Sequence, residues 1–243
     1  MLKSLVLGAA LVAAILPGLA VAQDMPTVLP NDYVLADILN KQRVDSAIAR
    51  PSRPGRAPPP SAARLAGKVT TTYRASPQVS ARVLDSYSRR LATSLGPVNG
   101  PRTAEELRRG DPLRRWSQLV GADGLRSGDL ADALAGWWVL SWVVANGADS
   151  NRAQALGARE QARAVLAASP SLARLDDARR QEMAEVLMLD FVVQQAAYVD
   201  AVKRGDRAAA RRMGDQAAAR FQREMGVDLR RVHLTERGFD GMS

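Results

Sequence analysis

The sequence predicts an all-α fold: a multi-helix bundle with an αα-hairpin at its C-terminal end, preceded by a proline-rich linker. Three observations predict it. Eleven of the thirteen prolines fall between Pro26 and Pro112 and only Pro170 lies beyond, so the second half of the chain is free to form long helices. Apolar residues there recur every three to four positions between recognisable caps, as in Ala209, Met213, Ala217 and Phe221. The dipeptide Gly205-Asp206 supplies a stop and a cap between two long helical stretches, which folds them back on each other.

Composition narrows the chemistry. The 243 residues are 47% hydrophobic and 24% charged, the balance of a protein that buries a core. Cysteine is absent, which excludes disulfides, thiolate metal sites, iron–sulfur clusters and a cysteine nucleophile. His233 is the one histidine, so a multi-histidine metal site is excluded as well, and no metal or cofactor is expected. The net charge is +9, carried almost wholly by arginine, with lysine only at positions 3, 41, 68 and 203. Beside so much alanine, this arginine excess matches the coding bias of a GC-rich bacterium.

Met1 to Ala22 has the order of a secretory signal peptide: Lys3, an apolar run from Leu5 to Leu16, the break at Pro17-Gly18, and Ala20-Val21-Ala22 as the cleavage motif. Cleavage is expected after Ala22, leaving a periplasmic or secreted chain of net charge +8 once Lys3 is gone. The run is too short for a transmembrane helix, no cysteine follows it to take a lipid, and no Arg-Arg pair precedes it. Export makes nucleic acid an unexpected partner. An unidentified protein or a component of the cell envelope is the expected one.

Residues 23–49 read as a short helical arm, with Asn31 or Asp32 as cap and Val34, Leu35, Ile38 and Leu39 on its apolar side. Residues 50–75 form a Pro/Arg-rich linker. Proline fixes φ and donates no hydrogen bond, so this stretch favours extended backbone. Seven basic residues against Asp45 alone, between Arg43 and Arg74, make it either a solvated tether or an arm drawn to an anionic surface.

The helical domain is expected over 76–239. Ser76-Pro77 opens a helix through Val83, Tyr87, Leu91 and Leu95, and Gly96-Pro97 ends it. Thr103-Ala104-Glu105-Glu106 has the form of a capping box for a short helix stopped near Gly110-Asp111-Pro112. Ser127 to Gly147 is the most strongly marked element, with Asp129 as cap, Asp132 in the first turn and Asn146-Gly147 as stop. Beyond Gly136 it is apolar all round except at Ser141, which predicts a central, buried helix. Asn151 to Ala168, Leu175 or Asp176 to Arg204, and Arg207 to Met225 follow as helices. The tail alternates around Val232 and Leu234, as an extended segment packing back on the bundle would.

Few residues could carry chemistry. Trp137, Trp138 and Trp142 lie within six positions and would serve either a ligand groove or a core. On the fourth long helix a wheel places Glu182, Glu185, Asp200 and Lys203 on a solvent face, and Met183, Leu187, Phe191 and Tyr198 opposite. Asp190 and Gln194 fall within that apolar side. A buried carboxylate must be paired or protonated. Asp190 is therefore either the acid of a hydrolase of cell-envelope polymers or half of a structural ion pair, and Gln194 is a binding candidate beside it. His233 has no partner to make it a general base, and Ser141 lacks the context of a nucleophile. Arg207, Arg211, Arg212, Arg220 and Arg223 mark the fifth helix as a solvated face or a surface for anionic lipid or glycan. The leading expectation is an exported, non-enzymatic binding or structural module.

Two motifs carry a resemblance. Asp129-x-x-Asp132, Trp137-Trp138-x-Leu140-x-Trp142, Asn146-Gly147, and the ending Gly226-x-Asp228-Leu229, Leu234-Thr235-x-x-Gly238-Phe239 are similar to an uncharacterised family of exported proteobacterial α-helical proteins. The likeness runs from about Tyr73 to Phe239. It implies the fold and export, and places the tail within the folded domain.

Overall fold

The structure, a computed structural model, describes residues 70–169 and 172–241. The expected signal peptide, the arm over 23–49 and the linker up to residue 69 lie outside the described residues. The described residues contain seven α-helices, two 3-10 turns (Gly121–Asp123 and Leu172–Arg174) and one β-hairpin: α1 (Pro77–Ser94), α2 (Gly96–Arg109), α3 (Pro112–Val120), α4 (Leu130–Asn146), α5 (Arg152–Ala167), α6 (Asp177–Lys203), α7 (Arg207–Met225), β1 (Val232–Thr235) and β2 (Gly238–Gly241). The all-α prediction holds, with the hairpin as its one addition. No helix among the described residues is long and apolar enough to cross a membrane.

Helix α4 is the centre. Asp129 caps it by accepting from the Ala131 amide at 2.9 Å, and the left-handed Gly147 (φ 59°) ends it with an amide bond to Val143. Every residue from Leu130 to Ala145 is buried except Trp142, because α5, α6 and α7 all pack against this one helix. A helix surrounded on three sides has no use for a polar face, which is the composition the sequence shows.

Helix α6 is enclosed as well. α1 covers Val186, Leu189 and Val193, making a second apolar cluster with Val79, Val83, Tyr87 and Leu91. Leu187, Met188 and Phe191 face the main core. This corrects the expected solvent face: Glu185 is buried, its Oε1 taking bonds from Ser80 Oγ (2.7 Å) and Gln181 Nε2 (2.8 Å). A wheel assigns a face by charge, and a glutamate whose oxygen is satisfied by two neutral donors defeats that rule. Burial pushes its carboxyl above the usual range.

A second correction concerns Thr103. Helix α2 begins at Gly96, and Thr103 lies buried inside it rather than capping its start. Gly96-Pro97 ends α1 as expected and also opens α2, since proline in the first turn lacks only an amide that would go unbonded. Before α1, Thr72 forms a β-bridge with Asp129, while the Leu130 amide bonds Thr71 O and the Tyr73 amide bonds Gly128 O. Residues just ahead of Ser76 therefore join the folded part.

The tail is a two-stranded antiparallel hairpin with Val232 opposite Gly241 and Thr235 opposite Gly238. Val232 and Leu234 point inward and His233 outward, which is the alternation read from the sequence. So small a sheet has two open edges, and side chains close them. Gln161 of α5 donates to Phe239 O and accepts from the Phe239 amide at 3.1 and 2.8 Å, and Gln154 donates to Leu234 O at 2.7 Å. The backbones meet at Gly157, where any Cβ would fall inside the contact radius of Glu236 O and the Gly238 nitrogen. Gly157→Ala is expected to lift the hairpin from α5, costing about 1–3 kcal/mol. Hydrogen exchange should accelerate in the hairpin amides well before those of α4, and unchanged hairpin protection would show that the contact is dispensable.

Candidate functional site: a buried polar cluster

The candidates converge on one place, where α6 and α7 meet α4. Asp190 is 2% exposed. Its Oδ2 accepts from Trp137 Nε1 at 2.8 Å and from Arg220 Nη1 at 3.0 Å, and the Tyr87 hydroxyl stands 3.5 Å from Oδ1. The other terminal nitrogen of Arg220 donates to Gln194 Oε1 at 2.9 Å. Asp190 and Gln194 lie one turn apart on α6, so a single guanidinium from α7 spans both. The Arg220 carbon also sits 5.3 Å from the centre of the Trp137 ring, which stacks on Phe221 at 5.5 Å.

Sequence reasoning placed Asp190 and Gln194 together inside the apolar side of α6, and the structure agrees. Arg220 is the correction: it is buried, and belongs neither to a solvated face nor to a surface for anionic lipid or glycan. Arg220 is one residue before Phe221 of the inward row Ala209, Met213, Ala217, Phe221, so its position on the edge of the buried side was the available signal. Among the exposed arginines on the same helix, nothing local distinguishes it. Tyr87 and Glu224 were also missed as members. Burial, then the Asp190 charge, hold the Tyr87 phenol far above its ordinary range.

The three tryptophans of α4 differ in burial. Trp137 and Trp138 are sealed in the core, and Trp138 meets Phe239 edge-on at 6.2 Å. Trp142 is only partly buried, and its indole donates to Val232 O at 3.0 Å, which ties α4 to the hairpin. The fourth tryptophan, Trp116, is also fully buried and meets Phe191 edge-on.

The residues of the two sequence motifs all have architectural work. Asp129 caps α4 and pairs with Arg163 of α5 at 3.0 Å, and Asp132 accepts from the Arg126 amide at 2.8 Å. Burial raises the Asp132 carboxyl above its usual range. Asn146 donates to Trp142 O and Leu229 O, joining the end of α4 to the tail. Gly226 ends α7 in the left-handed region (φ 72°), Asp228 accepts from the Arg230 amide, and Thr235 Oγ1 donates to Gly238 O across the hairpin.

A catalytic acid needs an open face and a partner that meets the same substrate. Asp190 is sealed: its Oδ2 is bonded to the buried Trp137 and Arg220, and its Oδ1 faces the buried Tyr87 hydroxyl. Asp176 caps α6 and Asp177 bonds Arg180 and the Arg74 amide, so the pair holds that helix start. No group of three or more metal-ligating side chains occurs among the described residues. His233 stands exposed on β1, opposite Asp240.

No curated protein and no solved structure matches the chain. A family model matches residues 1–241, so the match takes in the segment before Tyr73 that the motifs alone had left outside. With its motif residues accounted for as caps, stops and core contacts, the chain belongs to the Family of unknown function (DUF6683).

Proposed function

We propose that the chain is an exported, non-enzymatic module that binds or scaffolds a component of the cell envelope. One observation carries the reading: the buried carboxylates and the glutamine that could have served a reaction hold helices together. Asp190 and Gln194 are spent on Arg220, and Asp129 and Asp132 on the start of α4. Export rests on the leader-like order of Met1–Ala22 and would place the protein in the periplasm or outside the cell.

The turn between α6 and α7 favours an anionic surface as the thing bound. Lys203, Arg204, Arg207, Arg211 and Arg212 are exposed within ten residues. The acid between them, Asp206, is committed to capping α7 through the Ala209 amide at 2.8 Å. Arg204 pairs with Asp200 at 3.0 Å, and the cations clustered at this turn attract phosphate-bearing lipid headgroups over about 8–10 Å at ordinary salt.

One sedimentation experiment tests both parts. Purified mature protein is mixed with peptidoglycan sacculi, with vesicles rich in phosphatidylglycerol, and with neutral vesicles, at about 50 and 500 mM salt. Co-sedimentation with the anionic vesicles is expected at low salt, and it should fall steeply at high salt and in Arg207→Glu/Arg211→Glu. Soluble fragments released from sacculi would overturn the non-enzymatic reading. Salt-insensitive binding, or none, would overturn the anionic one.

A further inference from the structure

We propose that Glu224, with the Asp190–Arg220 pair, forms a proton-dependent latch: α7 is held against α4 and α6 while Glu224 carries a proton, and loosens as that proton leaves. The inference is independent of what the protein binds.

The geometry sets the problem. Among the described residues Arg220 is the one guanidinium bonded to Asp190, and both of its terminal nitrogens are spent on α6, one on Asp190 and one on Gln194. Glu224 follows one turn later on α7. Its Oε2 is sealed from solvent and has no hydrogen-bond partner. Ionising Glu224 would place a second negative charge near Asp190, with one oxygen unsolvated and the Arg220 guanidinium already engaged.

The other charged and titratable groups do not relieve it. On its own helix Arg220 and Arg223 favour the charged form, but burial outweighs them and Asp190 on α6 opposes them, so the Glu224 carboxyl is pushed up to about 7. On α1, Tyr87 stays protonated beside Asp190, and Arg90 lies over the Tyr87 ring with its carbon 6.0 Å from the centre. α4 contributes the neutral indole of Trp137.

The direction follows from the raised value. Above about 4.5 the unfolded or undocked chain releases the proton that the docked state still holds. Rising pH therefore favours release. The contribution is complete below about 4.5, is eroded between there and about 7, and is constant above. The window between about 4.5 and about 7 sets a ceiling of about 70-fold from pH 5 to pH 8, and partial exposure lowers it, so the opening equilibrium of α7 is expected to rise about 5- to 50-fold over that range.

Hydrogen exchange of the α7 amides, corrected for the intrinsic pH dependence and referred to those of α5, reads this directly. Wild type is expected to lose α7 protection across that range. Glu224→Gln, which keeps the shape without the charge, should hold its protection nearly constant, and the difference between the two proteins removes every titration they share. Glu224→Leu repeats the test with an apolar side chain should the glutamine variant fold poorly. Parallel profiles in wild type and in a folded variant, or protection that rises with pH, would overturn the latch.

Discussion

Arg220→Ala is expected to cost the domain about 3–5 kcal/mol, because it leaves Asp190 buried with its charge unopposed. A domain has roughly 5–15 kcal/mol in total, so the variant should melt far below wild type or fail to accumulate. The loss belongs to the unpaired carboxylate more than to the missing side chain. Asp190 would keep the Trp137 indole as donor and the Tyr87 hydroxyl at longer range, and neither carries a positive charge. A partner experiment separates the two sources. Asp190→Leu/Arg220→Met removes both charges and fills much of the same volume, and is expected to recover a large part of the stability, since desolvating an ion pair costs much of what the pair returns. Thermal melts of the three proteins decide the matter. A double variant no better than Arg220→Ala would mean that the packing of the arginine against Trp137, and not the charge pairing, is what the fold depends on.

Trp137→Ala is expected to be as damaging, at about 3–5 kcal/mol. The ring is fully buried, stacks on Phe221 and gives its indole proton to Asp190, so truncation opens a cavity and strips the carboxylate of a donor at once. Trp142→Ala should be milder, because that ring is partly exposed and its one hydrogen bond goes to the backbone of the hairpin. Its effect should appear as faster exchange in β1 and β2 with α4 still protected. In the sequence Trp142 continues the stripe of Leu130, Leu134 and Trp138, which is the spacing of a core residue. Equal melting losses in the two variants would place Trp142 in the main core.

Much of the fold can be read from local physical chemistry. Proline distribution, caps and stops depend on a few neighbouring residues, so Asp129, Gly147, Asp176, Asp206 and Gly226 mark helix ends in the sequence as clearly as in the structure. The unbroken apolar character of Ala133 to Ala145 likewise makes α4 central, because no exposed helix could be built from it. Alternation around Val232 and Leu234 marks an extended tail, though not the glutamines of α5 that pair with its edges. What only the tertiary structure decided is which polar residues are interior. The arginines of α7 look alike along the chain, and Glu185 looks like part of a solvent face. Arg220 is buried because Asp190 and Gln194 of another helix stand where its two nitrogens reach, and Glu185 because Ser80 of α1 meets it. A polar group is buried at lower cost where partners from other elements meet it, and those partners are about 30 and 105 residues away in the chain.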